Sequence, residues 1–276
     1  MYWTLSPASL TMKDMPPIPL GVDLGGTKLL ILAETPAGER TWKFPTGPAF
    51  TPADLEAHLA TVRAELAPAE VSLGIAVPGL VGDDGVVGPC DVLPLLNGWK
   101  PTAAAVLNDG QAALTAYAAG AAPGATLAIV GSGTAIAAAI QIAGHRVPAT
   151  ELGYVPYGPQ ATLDDAASGV ALLARLGVTA PELTERLSRH DPAATAAVRA
   201  AGEAFGAALA TLINLFRPER IGLYGGTLSY RGYLTAALSA VDRRALPALR
   251  SACRVELAPQ PELIAARGAL LAGQSA

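Results

Sequence analysis

The chain has 276 residues, 51% of them hydrophobic but only 5% aromatic, with 15% charged, 29 glycines and 23 prolines. That length exceeds the usual single domain and predicts two compact units, while the apolar content excludes a disordered polypeptide. The net charge of −4, with 19 scattered basic residues, argues against a nucleic-acid-binding surface; two cysteines, Cys90 and Cys253, are too few for a disulfide framework and suit a reducing, cytoplasmic setting.

Residues 1 to 15 read as a disordered leader without the basic and apolar regions of an export signal. No later run of about 18 residues is apolar without Gly, Pro or charge, so no membrane span is expected. The first strand, Ile18 to Asp23, stops at Gly25-Gly26, and a second apolar run, Lys28 to Ala33, ends at Pro36-Ala37-Gly38. Two such runs flanking glycines predict a β-hairpin. Thr51-Pro52 opens a helix that runs to Leu66, and Val71 to Val77 reads as a buried strand ended by Pro78-Gly79. A Gly- and Pro-rich loop, Gly82 to Lys100, leads to a strand, Ala103 to Leu107, which delivers Asn108-Asp109 to a helix reaching Ala119.

The opening pattern then returns as Thr126 to Val130, a turn at Gly131-Ser132-Gly133-Thr134, and Ala135 to Ile142. An offset of 107 lays Gly26-Thr27 on Gly133-Thr134 and suggests an internal duplication with Val130 opposite Asp23, although any two hairpins with small turns share this much. Helices follow at Leu163 to Leu176, Pro181 to Ser188 and Ala193 to Phe216, then a strand at Arg220 to Tyr224 meeting Gly225-Gly226, a helix from Arg231 to Ala245, a strand near Arg254 to Leu257, and a last helix from Leu263 to Leu271. Alternating strands and helices give an α/β class with partly parallel sheets. The expected units are 16–112, joined by a C-terminal helix in 261–276, and 113–260.

Three glycine turns follow strands directly: Asp23 to Lys28, Gly131 to Thr134, and Gly225-Gly226-Thr227. Glycine there lets backbone N–H groups approach a polyphosphate, with Thr and Ser hydroxyls as further donors, although any one such turn is more often only a tight hairpin. The string of a P-loop is absent, and Gly131-x-Gly133 lacks the third glycine of a dinucleotide fingerprint. Asp23, at a strand end beside a glycine turn, is open to two readings, a metal-side carboxylate or a turn residue bonded to its own backbone. Asp109, where strand gives way to helix, can be a proton acceptor or an N-cap.

The ordered strings GVDLGGTK, NDGQAA, VGSGT, ELG, AASGVAL and YGGTL resemble the ROK family of bacterial sugar kinases, over about residues 18 to 272. The resemblance implies two ribonuclease-H-like units of the actin-like ATPase fold, with ATP and sugar meeting in the cleft between them. By it, Asp23, Gly25, Gly26, Thr27 and Lys28 form the first phosphate turn and Gly131, Ser132, Gly133 and Thr134 the second, while Gly225 and Gly226 lie by the adenosine. Asp23 would hold magnesium, through water, and Asp109 would take the proton from the sugar hydroxyl. Asn97, Asn108, Asp109, Glu151, Tyr154 and Asp164 would contact the sugar.

Some residues depart from that family's pattern. Glu151-Leu152-Gly153 is followed by Tyr154 where the zinc-binding kinases have His, and no cysteine cluster follows, so no zinc site is expected. Asp164 stands where the family has Glu, and the stretch from Trp99 to Asp109 is shorter than usual. These changes fall on the sugar side and leave the phosphate turns intact. The reading is therefore an ATP- and magnesium-dependent kinase for a hexose or related sugar, with a sugar- or nucleotide-binding sensor as its rival. A repressor is disfavoured because about 20 residues before the first strand cannot hold a helix-turn-helix domain. A branch with an interfacial iron–sulfur cluster is disfavoured by the two distant cysteines. The Ala- and Leu-rich helices after residue 193 leave room for a homodimer interface.

Overall fold

The protein is described here by a computed structural model covering residues 16–103, 105–148 and 150–275; the expected leader at 1–15 lies outside the described residues. β1 (Ile18–Leu24) and β2 (Lys28–Thr35) form the expected antiparallel hairpin, and a further strand, β3 (Gly38–Pro45), pairs with β2. Hydropathy does not reveal β3 because GERTWKFP is polar and mostly exposed, as suits an edge strand guarded by charge. Helix α1 (Pro52–Leu66) starts where Thr51 and Asp54 form a reciprocal capping box, and buries Leu55, Leu59 and Val62 against the sheet. β4 (Val71–Val77) and β5 (Ala105–Asn108) complete the sheet in the order β3-β2-β1-β4-β5, with β4 parallel to β1 and β5 parallel to β4.

After α2 (Asp109–Ala118) the plan repeats. β6 (Leu127–Ser132), β7 (Ile136–Ile142), β8 (His145–Arg146), β9 (Arg220–Tyr224) and β10 (Arg254–Leu257) form a second sheet whose order, read from the same end, is β8-β7-β6-β9-β10. Antiparallel and parallel pairings recur in the same places, so the duplication suggested by two short turns extends to whole sheets. The turns themselves differ in length. Leu24 pairs with Leu29 but Ser132 pairs with Ile136, so the first loop is one residue longer and the residue opposite Asp23 is Gly131 rather than Val130.

The segment expected as one helix from Leu163 to Leu176 is two, α3 (Leu163–Ala167) and α4 (Gly169–Leu176), broken at Ser168, whose hydroxyl caps the Ala171 N–H. The break brings the Gly169 N–H to 2.8 Å from the Gly133 carbonyl and braces the second glycine turn. α5 (Ala180–Ser188), α6 (Pro192–Phe216), α7 (Tyr233–Arg244) and α8 (Pro247–Ala252) cover the outer face of the second sheet, where Phe205, Leu209, Ile213, Leu223 and Tyr233 form its core. α6 is long and apolar enough to cross a bilayer by composition alone, but here it is the central core helix of this layer.

The last helix, α9 (Ile264–Gln274), returns to pack on β1 and β4 and against α2, which also touches β6 and β7. The two sheets are thus joined through a layer of two helices. Glycines make that layer thin: a Cβ at Gly21 would lie 1.9 Å from the Ala266 carbonyl, and one at Gly74 1.9 Å from that of Ala269.

Candidate active site

In open α/β sheets ligands bind beyond the carboxyl ends of parallel strands, and here the ends of β1, β5, β6 and β9 converge. Asp23 is the penultimate residue of β1. Burial pushes its carboxyl up to about 6, and Lys28 beside it pulls the other way. Asp109 is the first residue of α2, where burial and then the negative charge of Asp23 push its carboxyl up to about 7. Its own Gly110 N–H, at 2.7 Å, opposes the rise, and Glu151 adds to it more weakly.

The N-cap that competed for Asp109 is taken by Asn108. The Asn108 Oδ1 accepts from the Gly110 and Gln111 N–H groups at 3.0 and 3.3 Å, and its Nδ2 donates to the Gly79 carbonyl at 3.2 Å. Asn108 is buried, and these bonds fix the start of α2 and leave the Asp109 carboxylate for the cleft; the second Nδ2 hydrogen has no protein acceptor among the described residues, so the expected sugar contact stays a proposal. Asn108→Ala should cost about 1 kcal/mol or more as a lost cap, measured by thermal or denaturant unfolding. An unchanged midpoint would show the cap to be replaceable.

The first turn is held by Thr46, whose hydroxyl donates to the Gly25 carbonyl at 2.6 Å and whose N–H reaches that of Thr27. Among the described residues no protein acceptor takes the N–H of Gly26 or Thr27, and Thr27 and Lys28 are exposed. In the second turn the Gly133 N–H bonds the Ala135 carbonyl, leaving Thr134 at the open tip. Ser132 departs from expectation: its hydroxyl is fully buried and shared with Tyr233 at 2.9 Å, so it faces the core and cannot reach a nucleotide. The third turn abuts the second. Gly225 adopts φ +104°, a Cβ there would lie 2.3 Å from the Ser132 carbonyl, and the Thr227 hydroxyl donates to the Gly133 carbonyl at 3.2 Å.

On the expected sugar side, Glu151 is exposed at the cleft, and burial followed by the charges of Asp164 and Asp91 raises its carboxyl above the usual range. The Tyr154 hydroxyl donates to Asp91, which the sequence did not single out, tying the loop after β4 to the second unit. Asp164 accepts from the Ile136 N–H at 2.6 Å and so braces the start of β7. Asn97 is exposed, with its Oδ1 accepting from the Cys90 N–H at 2.9 Å inside the loop. Sequence reasoning also missed Tyr224; the signal available was its position directly before Gly225-Gly226.

Asp23 and Asp109 are half-buried carboxylates in one crevice; the charge of Asp23 adds to the burial that raises Asp109, and a divalent cation would relieve that repulsion. Hard carboxylate oxygens beside open backbone N–H groups are a donor set that suits magnesium with a polyphosphate, and Asp23 is the carboxylate that could hold it. The two cysteines, by contrast, lie buried in separate cores. A cavity of about 760 Å³ between α6 and residues 150–157 is mostly apolar, with Glu151 on its lining, and contains none of the glycine turns.

Comparison with known proteins gives a family and a fold. Residues 126–274 match the sequence model of the ROK family. A kanosamine kinase of Amycolatopsis mediterranei is 30% identical over 247 residues, covering 76% of this chain and 80% of that one. A ROK family glucokinase from Streptomyces griseus, solved with glucose and AMPPNP, superposes with a TM-score of 0.75 at 22% identity over 94% of this chain and all of that one. A ROK family transcriptional regulator superposes with a TM-score of 0.74 at 20% identity, covering 94% of this chain and 78% of that one.

Proposed function

The chain belongs to the ROK family, and from that premise we propose that it is an ATP-dependent kinase that phosphorylates a hydroxyl of a hexose or related amino sugar. The observation that carries this reading is Asp109: a carboxylate freed from capping by Asn108, half-buried at the cleft, and raised to about 7, where a general base for an alcohol works best. The repressor relative shares the fold, but a proton acceptor poised between glycine turns serves turnover.

In the proposed reaction the turns after β1 and β6 hold the ATP phosphates through backbone N–H groups, and Gly225-Gly226 lie along the adenosine. Asp109 accepts the proton of the sugar hydroxyl as its oxygen bonds to the terminal phosphorus, and the bridging oxygen departs with its electron pair on ADP. Asp23 would hold magnesium, which would supply charge neutralisation on the phosphates. Apposition of the two units excludes water, so ATP is spent on sugar and not on hydrolysis. Two free, buried thiols accord with a cytoplasmic enzyme.

The sugar side of the cleft is acidic. Burial raises the Glu151 carboxyl first, the charges of Asp164 and Asp91 add to the rise, and an acceptor carrying an ammonium group would offset that negative charge. The test is ADP release from Mg-ATP across kanosamine, other amino sugars, N-acetyl sugars, neutral hexoses and polyols. The expected outcome is stimulation by an amino sugar above its neutral counterpart. Tyr154→Phe, which releases Asp91, should raise the KM for that sugar by about tenfold with a smaller change in kcat, the scale of one charge-assisted hydrogen bond. Absence of stimulation by every sugar, with ATP or sugar still binding in calorimetry, would replace the kinase with a sensor.

A further inference from the structure

Among the described residues the Tyr224 hydroxyl is the one buried side-chain polar atom with no hydrogen-bond partner in the protein. Leaving a buried donor unmade is unfavourable, so such a group calls for a partner that arrives with a ligand. Its setting shows which ligand. Tyr224 ends β9 and pairs with Gly131 at the end of β6, between the second and third glycine turns. The ring lies over Gly131, where a Cβ would come within 2.6 Å of a ring carbon and 2.9 Å of the hydroxyl oxygen. Glycine at 131 therefore makes room for this side chain to reach across the turn.

On its other side the phenol faces the two carboxylates of the cleft. Burial first, and then the charges of Asp109 and Asp23, hold it well above its ordinary range, so it is a neutral O–H donor at physiological pH. Neither carboxylate is within bonding distance of it. The hydroxyl thus lies beside the second phosphate turn and within reach of the charges of Asp109 and Asp23. An oxygen-rich anion over the turn is the partner this place admits.

We propose that Tyr224 donates a hydrogen bond to an oxygen of the terminal phosphoryl group of the bound nucleotide. This rests on the kinase reading and adds to it a donor that travels with neither the glycine turns nor the metal. One neutral donor beside two carboxylates offsets their repulsion of the incoming phosphate and fixes the phosphoryl group toward Asp109. ADP, which lacks that group, gains nothing from it.

Tyr224→Phe keeps the ring over Gly131 and removes only the hydroxyl. Calorimetric titration of wild type and variant with Mg-AMPPNP and Mg-ADP, without sugar, reads the contact directly. Affinity for AMPPNP should fall on the order of tenfold or more, as for a hydrogen bond to a charged group, while affinity for ADP stays within about twofold. In turnover, kcat falls and the KM for sugar is unchanged. The melting temperature of the variant should equal or exceed that of wild type, because an unpartnered buried hydroxyl has gone. An unaltered ratio of AMPPNP to ADP affinity overturns the proposal, as does a lowered melting temperature with both affinities intact, which marks a structural hydroxyl. If wild type is stimulated by sugar and the variant keeps its ratio, Tyr224 alone is wrongly assigned; if wild type binds neither nucleotide, the kinase reading falls and takes this proposal with it.

Discussion

Asp109→Asn should lower sugar-stimulated ADP release by about a hundred- to ten-thousandfold, the usual contribution of a positioned general base, while binding of sugar and nucleotide persists. The amide keeps the size and the Gly110 contact of the carboxylate but cannot accept the hydroxyl proton. The pH profile gives the same assignment a second reading. A base must be ionised to act, so wild-type kcat/KM should climb as pH rises through about 7, the value to which burial and Asp23 push Asp109. Asp23→Asn removes the like charge and should move the climb to lower pH, even though it also weakens the response to magnesium.

Stability runs in the opposite sense, which separates the base from a structural residue. A carboxyl whose folded pKa is raised favours the folded state most below its unfolded value, here 3.8, and loses that advantage as pH rises through the folded value of about 7. The ionised Asp109 is therefore a burden to the fold above neutrality. Asp109→Asn should melt at or above the wild-type temperature at pH 8, with the difference shrinking toward pH 4. A variant that loses activity because it unfolds early at pH 8 would remove Asp109 from the role of base.

Much of this was legible in the sequence because the site is built from local grammar. Strands ending in glycine turns are short-range patterns, and the β1–β2 and β6–β7 hairpins stand where that pattern puts them. The parts that escaped depend on contacts between distant segments. Whether Asn108 or Asp109 caps α2 is decided by Gly79, 29 residues away, whose carbonyl fixes the Asn108 amide. Ser132 looks like a phosphate ligand in its string, but Tyr233, 101 residues on, turns its hydroxyl into the core. Asp91 gains meaning only from Tyr154 across the cleft. Tyr224 is one aromatic among seven tyrosines until β9 lies beside Gly131. The edge strand β3 escaped for the opposite reason: its charge suits solvent and hides the period that a buried strand shows.

Gly268→Ala should be among the most destabilising single changes in the molecule, because it acts on the layer that joins the two sheets. A Cβ at Gly268 would lie 1.6 Å from the Ala112 carbonyl oxygen and 2.4 Å from its carbon. Both are backbone atoms of α2, which no side-chain rotation can move aside. On its other face α9 is already in contact with β1 and β4 through Gly21 and Gly74, so it cannot retreat from α2 without losing that packing. Overpacking of this kind costs about 3 kcal/mol or more, which for a chain of this size is a fall in melting temperature of roughly 10 °C. Gly47→Ala is the control: a Cβ there meets nothing within 4 Å, so it should leave the melting temperature unchanged or slightly raised. The effect reaches function because α2 begins with Asp109. Where Gly268→Ala still folds, the helix is displaced and the base with it, so kcat should fall by more than the KM for ATP rises. A melting temperature within about 2 °C of wild type would mean that α2 and α9 can part at little cost, and the catalytic carboxylate would then owe its place to Asn108 alone.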